Sequence, residues 1–148
     1  MTDHASIARA KRPEFRNINA FSDLPTYLLP PAGIVSILHR VSGAILFVLM
    51  PFIIWMFDTS VSSEFSFARF TNLFSVGIGA VPGWMFKLIA LAIMWSYLHH
   101  FIAGMRHLWM DISHDAVTKE FGRSSALVTL ALGSLLTLAL GAKLFGLY

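Results

Sequence analysis

The sequence predicts an all-α membrane protein with three transmembrane helices. The chain has 148 residues, of which 56% are hydrophobic and 13% charged, and its mean hydropathy is +0.68. That composition is too apolar for a soluble domain of this size. Three apolar runs, at about residues 32–57, 84–110 and 124–147, are each long enough to cross a bilayer as a helix. We therefore expect a multi-pass protein with little mass outside the lipid bilayer.

Residues 1–31 are expected to form an N-terminal arm that is cytoplasmic and interfacial. The first 20 residues or so are polar, and a long polar lead before a full-length apolar run argues against a cleaved signal peptide. The acids Asp3 and Glu14 argue against a transit peptide. The segment 21–31 combines Tyr27 with three prolines, which favours an irregular stretch at the membrane interface. The basic residues of the arm are Arg9, Lys11, Arg12 and Arg16.

The first span, about residues 32–57, is predicted to begin near Pro30-Pro31, because proline is tolerated in the first turn of a helix. Its first half carries Ser36, His39 and Arg40 at the spacing i, i+3, i+4, so the three side chains share one helix face. Its second half is apolar, and Pro51 is expected to kink it.

An extramembrane connection is predicted over residues 58–83, ending at Pro82-Gly83. It contains Asp58, Glu64 and Arg69. Two interpretations stay open: a segment that follows the membrane surface, or a loop with some buried aromatic side chains. The aromatic residues in question are Phe65, Phe67, Phe70 and Phe74.

The second span, about residues 84–110, carries most of the unusual chemistry. Positions i, i+4, i+7 and i+11 of a helix lie on one stripe, and here they are His100, Gly104, His107 and Asp111. Ionisable side chains inside a span are costly and suggest function. Imidazole is a common haem-iron ligand, and Gly104 leaves space where a flat macrocycle could lie. The alternative is that His100 is a hydrogen-bonded histidine inside a helix bundle. His99 points about 100° away from His100 and is expected to be a bundle residue.

The third span, about residues 124–147, follows a short polar loop. Gly133, Thr137 and Gly141 repeat at i, i+4, i+8, and small residues at that spacing allow helices to approach closely in lipid. A ligand groove at this stripe is the less favoured alternative.

The distribution of basic residues predicts the orientation. The arm and the 111–123 loop hold most of the Lys and Arg, so the positive-inside rule places the N-terminus in the cytoplasm and the C-terminus in the periplasm. The net charge of +3 is explained by these membrane-flanking residues, and no nucleic-acid partner is expected. The polar halves of spans one and two then meet in the cytoplasmic leaflet. We expect a positively charged pocket there, formed by Ser36, His39, Arg40, His100, Arg106 and His107.

A haem in this pocket would need ligands from two elements. His100 and His107 lie about 10.5 Å apart along one helix, so they cannot be the two axial ligands of one iron. The second ligand would come from another helix or chain, and His39, Arg40 and His107 would be placed to meet the anionic propionates. The chain has no cysteine, so such a haem would not be linked covalently.

The motif S-I-L-H-R-V-S-G at residues 36–43, followed by His100 seven residues before His107 in the block G-M-R-H, strongly resembles the cytochrome b membrane-anchor subunits of succinate dehydrogenase, respiratory complex II. The likeness extends from Arg12-Pro13 through the third span, and the 21–31 segment matches less well. The resemblance implies that His100 is one axial ligand of a single haem b, with the other supplied by a second small anchor subunit.

The same resemblance assigns further roles. It implies that Ser36 and Arg40, with Ile37 between them, bind ubiquinone as substrate, and that His39, Arg40 and His107 lie near the haem propionates. It also implies a flavoprotein subunit and an iron–sulfur subunit as partners, in a bacterial inner membrane.

These residue types suit quinone chemistry. Quinone reduction takes two electrons and two protons, and a hydroxyl with a guanidinium can orient the ring and stabilise developing negative charge. Arginine stays protonated, so the protons must come through water, a histidine or a partner's tyrosine. The chain carries no group that oxidises succinate, so it would be a subunit of the enzyme rather than its catalytic head.

Two alternatives remain open on the sequence. One is a cytochrome b anchor of another quinone-linked oxidoreductase, such as a fumarate reductase. The other is a non-redox membrane helix bundle, structural or proton-conducting. An absorption spectrum separates the last from the redox proteins, and the soluble subunits that co-purify are the most informative observation.

Overall fold

The computed structural model describes residues 19, 21–23, 26–113 and 116–148. Most of the predicted N-terminal arm therefore lies outside the described residues. Within the described part, the chain forms helices and one short β-hairpin. The helices are α1 (Pro31–Val48), α2 (Met50–Val61), α3 (Glu64–Ser75), α4 (Gly83–Ile112) and α5 (Lys119–Leu144); the hairpin strands are β1 (Gly77–Ile78) and β2 (Val81–Pro82).

Three of these helices are long and apolar enough to cross a membrane, namely α1, α4 and α5. The predicted class, an all-α protein with three transmembrane helices, is confirmed. Helix α4 packs against both α1 and α5, and α1 also meets α5, so the three form a bundle. Its centre is made of the small or medium side chains Val35, Ala103 and Ala126, all fully buried. The large apolar side chains point outward, as expected for a surface in contact with lipid.

The first span is interrupted, whereas the sequence predicted one helix over about 32–57. Helix α1 ends at Val48 and α2 begins at Met50, with Leu49 between them. Pro51 stands in the first turn of α2. A proline has no N–H and its ring clashes with the carbonyl four residues earlier, so the regular helix stops just before it. The break lies at the predicted kink.

The predicted 58–83 connection is mostly helical. Helix α2 continues to Val61, and α3 begins with a capping box in which Ser63 and Ser66 exchange hydrogen bonds. Helix α3 packs against α2 and α4 and buries Leu73, while Phe65 and Phe67 remain largely exposed. The connection is thus a helix of mixed polar and apolar side chains that packs against α2 and α4.

Gly83 joins this connection to α4 at very close range. A Cβ atom at Gly83 would lie 2.5 Å from the carbonyl oxygen of Phe74, so only glycine allows the end of α3 to touch the start of α4. In the hairpin before it, Gly77 has a φ of +100°, which glycine adopts without strain.

Helix α5 begins at Lys119, earlier than the predicted start near residue 124. The hydroxyl of Thr118 accepts the N–H of Phe121 at 3.2 Å and so caps the helix. The predicted small-residue stripe is confirmed as a packing surface, because Gly133, Thr137 and Gly141 are all buried. A Cβ at Gly141 would lie 2.8 Å from a methyl of Leu91, which shows how closely α4 approaches.

Candidate functional site

Three histidines meet between α1 and α4. The ring of His39 stacks on that of His100, with centroids 4.2 Å apart and an angle of 8° between the planes. On its other side His39 contacts His107, at 5.1 Å and 50°. The structure therefore brings together three of the side chains that the sequence placed in one pocket.

The ring of His100 is fixed by α1. Its Nδ1 lies 3.0 Å from the carbonyl oxygen of His39 and 3.4 Å from the hydroxyl of Ser42. A carbonyl oxygen only accepts hydrogen bonds, so Nδ1 carries the proton and Nε2 is left with its lone pair. Iron-ligating and zinc-ligating histidines generally have this arrangement, in which the other nitrogen donates to a carbonyl or carboxylate. His100 is thus held in the tautomer that a metal ligand requires.

Ser42 and Gly43 shape this arrangement, and the sequence reasoning assigned them no role. Ser42 is fully buried, and its hydroxyl donates to the carbonyl of His39 at 2.9 Å. A Cβ at Gly43 would lie 2.8 Å from Cε1 and 3.2 Å from Nδ1 of His100. The only signal in the sequence was their inclusion in the 36–43 motif.

We expect Gly43→Ala to displace the His100 ring, because the new methyl would overlap Cε1 and the ring is hydrogen-bonded in place. Overpacking of this kind costs about 1–3 kcal/mol, and the absorption bands of any haem bound at His100 should shift. The matched control is Gly104→Ala, where the new Cβ meets its nearest atom, His39 Nε2, at an ordinary 3.5 Å. Spectra in which Gly104→Ala is altered and Gly43→Ala is not would contradict this assignment.

Gly104 lies beside His39 of α1. A Cβ at Gly104 would meet His39 Nε2 at 3.5 Å, an ordinary contact, so His39 would lie against α4 with alanine there as well. That the missing side chain leaves room for a macrocycle stays a prediction.

Ser36, Ile37 and Arg40 lie along α1, further toward its outer face. Ser36 is half-buried, Ile37 is 39% exposed and Arg40 is exposed. Within the part of the chain that the structure describes, neither the Ser36 hydroxyl nor the Arg40 guanidinium makes a hydrogen bond. The exposed side chains of Ile37 and Arg40 lie on the outer surface of α1.

Arg106 is not part of the histidine cluster, which corrects the prediction. Its Nε donates to the hydroxyl of Ser125 at 2.9 Å, and its Nη2 donates to the carbonyl of Gly122 at 3.2 Å. Both acceptors are on α5. Consecutive residues of a helix point about 100° apart, so when His107 faces α1, Arg106 is turned toward α5.

His99 is a bundle residue, as predicted. It is 2% exposed, its ring stacks on Trp95 with centroids 5.4 Å apart, and it packs beside Gly133 of α5. The buried atoms His99 Nε2 and Ser96 Oγ have no hydrogen-bond partner among the described residues.

The histidine cluster suits a haem better than a bare metal ion. The three rings stack or tilt against one another rather than converge, and among residues 26–113 and 116–148 no group of three or more His, Cys, Asp or Glu is arranged to hold a metal ion. A b-type haem would need an imidazole nitrogen with a free lone pair and hydrogen-bond donors near its carboxylates. His100, with its Nδ1 proton bonded to a carbonyl, fits the first requirement, and the neighbours His39, Arg40 and His107 fit the second.

The fold and the site define a multi-pass helical membrane subunit with a histidine cluster between two of its spans. The family model described as succinate dehydrogenase/fumarate reductase transmembrane subunit matches residues 12–140. The chain belongs to that family, which confirms the resemblance seen in the sequence.

Two relatives are similar over most of the chain. A protein of Coxiella burnetii (strain RSA 493 / Nine Mile phase I) is 36% identical over 104 residues, covering 70% of this chain and 78% of the relative. One of Paracoccus denitrificans is 30% identical over 102 residues, covering 69% and 73%. Both are named succinate dehydrogenase cytochrome b556 subunit.

Proposed function

We propose that the chain is the anchor subunit of a succinate dehydrogenase that binds haem b and ubiquinone and passes electrons from the soluble subunits to quinone. The observation that carries the proposal is the His100 ring, whose Nδ1 is bonded to the carbonyl of His39 at 3.0 Å within a membrane-spanning bundle. The names of the two relatives support a b-type cytochrome. The partners would be a flavoprotein subunit, an iron–sulfur subunit and a second small membrane anchor.

In this proposal His100 provides one axial ligand and the second anchor subunit provides the other. The bound haem supplies a one-electron carrier within the membrane. The carbonyl of His39 and the hydroxyl of Ser42 orient the imidazole, and Gly43 leaves room for it. His39, Arg40 and His107 would donate charge-assisted hydrogen bonds to the propionates.

Ser36, Ile37 and Arg40 would form this chain's part of the ubiquinone site. The Ser36 hydroxyl would donate to one carbonyl oxygen of the quinone and so orient its ring. The Arg40 guanidinium would stabilise the negative charge that develops on reduction, but it keeps its own protons. The protons would come from water, a histidine or a partner's tyrosine. The exposure of Ile37 and Arg40 is consistent with a site completed by another subunit.

The direct test is purification of the assembled complex through a tag on this chain. We expect a flavin-bearing subunit, an iron–sulfur subunit and a second small membrane protein to co-purify, and a reduced-minus-oxidised spectrum to show b-type bands. A preparation without flavin and without b-type bands would favour the alternative of a non-redox structural or proton-conducting bundle. Because the family description includes fumarate reductases, the rates of succinate oxidation and fumarate reduction should be compared on the same preparation.

The topology is part of the proposal, with the N-terminus in the cytoplasm, the C-terminus in the periplasm and the complex in a bacterial inner membrane. We expect a reporter fused after Tyr148 to be active in the periplasm and one inserted in the 111–123 loop to be active in the cytoplasm. Charge asymmetry across the spans is the physical reason. The reverse result would place the His39–His107 cluster in the leaflet away from a cytoplasmic dehydrogenase and would contradict the proposal.

A further inference from the structure

Arg106 presents a buried guanidinium with unused donors. The side chain is 9% exposed, and its two described hydrogen bonds go to neutral oxygens, the Ser125 hydroxyl and the Gly122 carbonyl. A guanidinium carries five N–H groups and is always charged. Among the described residues, three N–H groups, both of those on Nη1 included, therefore have no acceptor.

This guanidinium lines an apolar groove between α4 and α5. The groove has a volume of about 530 Å³ and is open along one side. Its hydroxyl-bearing lining includes Ser124, Ser125 and Thr129, and its apolar lining residues are Ile102, Met105, Trp109, Phe121 and Val128. Since Val128 and Trp109 are 62% and 59% exposed, the groove opens toward the lipid side of these two spans.

The position of Arg106 along the helices matches the depth of lipid phosphates. It stands six residues before the end of α4 at Ile112, and Ser125 stands six residues after the start of α5 at Lys119. At 1.5 Å per residue both lie about 9 Å from the helix ends. Helix α4, with 30 residues, is about 45 Å long and exceeds the hydrocarbon core of about 30 Å. With α4 centred in the bilayer, the guanidinium lies near the boundary between acyl chains and headgroups.

We propose that this groove binds one phospholipid molecule. Its phosphate accepts hydrogen bonds from the free N–H groups of Arg106, and one acyl chain lies along the apolar side chains of α4 and α5. The planar fork of guanidinium donors matches two oxygens of a phosphate, and the bilayer supplies phosphates at this depth. Such a counter-charge would offset the cost of an unneutralised guanidinium in a span. This site is separate from the histidine cluster, because Arg106 faces α5 while His100 faces α1.

The test uses native mass spectrometry to count bound phospholipids. The assembled complex is first washed extensively in a non-ionic detergent, and the phospholipids that stay bound are counted. We expect Arg106→Gln to lose the mass of one phospholipid relative to the unaltered complex, and Arg106→Lys to retain it more weakly. The matched control is Arg123→Gln, an exposed arginine at the same end of α5, which should leave the count unchanged. An unchanged count in Arg106→Gln would overturn the proposal.

A second pair of variants tests the groove without altering the guanidinium. Val128→Trp fills the groove and should also lose one phospholipid, whereas Leu127→Trp, on the neighbouring exposed position outside the groove, should not. These variants keep the proposal testable if Arg106→Gln fails to assemble. If Val128→Trp instead separates another protein subunit from the complex with no change in bound lipid, that subunit occupies the groove and the proposal is wrong.

Two further measurements exclude other anions. Removing the bound lipid with a harsher detergent should lower the thermal stability of the complex, and adding phosphatidylglycerol should restore it, whereas inorganic phosphate should not. Restoration by inorganic phosphate alone would overturn a lipid site. The carboxylate of Asp115, which lies outside the described residues, is the alternative counter-charge for Arg106. The variant Asp115→Asn tests it. If Asp115→Asn and Arg106→Gln lower thermal stability equally and neither loses lipid, the counter-charge is that carboxylate and no lipid is bound there.

Discussion

Replacing His100 by leucine is expected to remove the b-type absorption bands of the complex, or to alter them strongly. The imidazole is the only group of this chain proposed to reach the iron, and leucine offers no lone pair. The carbonyl of His39 and the hydroxyl of Ser42 would also lose the partner that they hold at 3.0 Å and 3.4 Å. The measurement is the reduced-minus-oxidised spectrum of purified complex, normalised to the amount of covalently or tightly bound flavin.

The matched control for this variant is His99→Leu, one residue away on the same helix. His99 packs beside Gly133 of α5, so its loss should change packing but leave the bands nearly intact. A normal spectrum in His100→Leu would remove His100 from the axial role. Loss of the bands in both variants, with the complex still assembled, would show that the site responds to any change in α4 and would not support a specific ligand.

Ser36→Ala and Arg40→Leu are expected to lower succinate–ubiquinone reductase activity by at least about tenfold each. Removal of one preorganised donor from a developing oxyanion costs about 10²–10³ in rate in well-studied enzymes. Electron transfer from succinate to a soluble artificial acceptor should persist, because that chemistry belongs to the partner subunits. Arg40→Lys should restore activity only in part, since an ammonium cannot reproduce the planar fork of donors.

The two rates must be measured on the same membranes, with the assembled complex quantified. If both rates fall together, Ser36 and Arg40 serve assembly and the quinone assignment fails. If neither falls, the polar face of α1 is a helix end whose arginine extends to the interface. Because Arg40 is also proposed to approach a propionate, its variants should shift the haem spectrum, whereas Ser36→Ala should not.

The polar cluster was predictable in its members but not in its geometry. Helix spacing and charge distribution place His39, His100 and His107 in the same leaflet. The structure brings the ring of His39 within 4.2 Å of His100 and 5.1 Å of His107. The same reasoning put Arg106 with them, because depth is set by position along a helix. The direction in which a side chain leaves α4 toward a partner depends on where α1 and α5 lie. In the structure Arg106 points toward α5 and bonds to Ser125.

The close contacts between helices also could not be predicted from the sequence. Gly43 and Gly104 are both glycines near histidines in the sequence. The sequence favoured Gly104 as the position that leaves space for a ligand. Only the crossing of α1 and α4 shows that a Cβ at Gly43 would meet His100 at 2.8 Å while one at Gly104 would have 3.5 Å. The motif at residues 36–43 indicated that this region is functional, but it did not explain why residue 43 is a glycine.

By itself the sequence determined the three spans, the small-residue stripe of α5 and the pairing of polar half-spans. Hydrophobic length, residue size and charge are properties of segments and need no knowledge of neighbours. The tertiary structure decided the helical α3 and the two opposite faces of α4, with His100 toward α1 and Arg106 toward α5. These depend on how helices rotate and approach, and packing fixes that rotation only when all three helices are assembled.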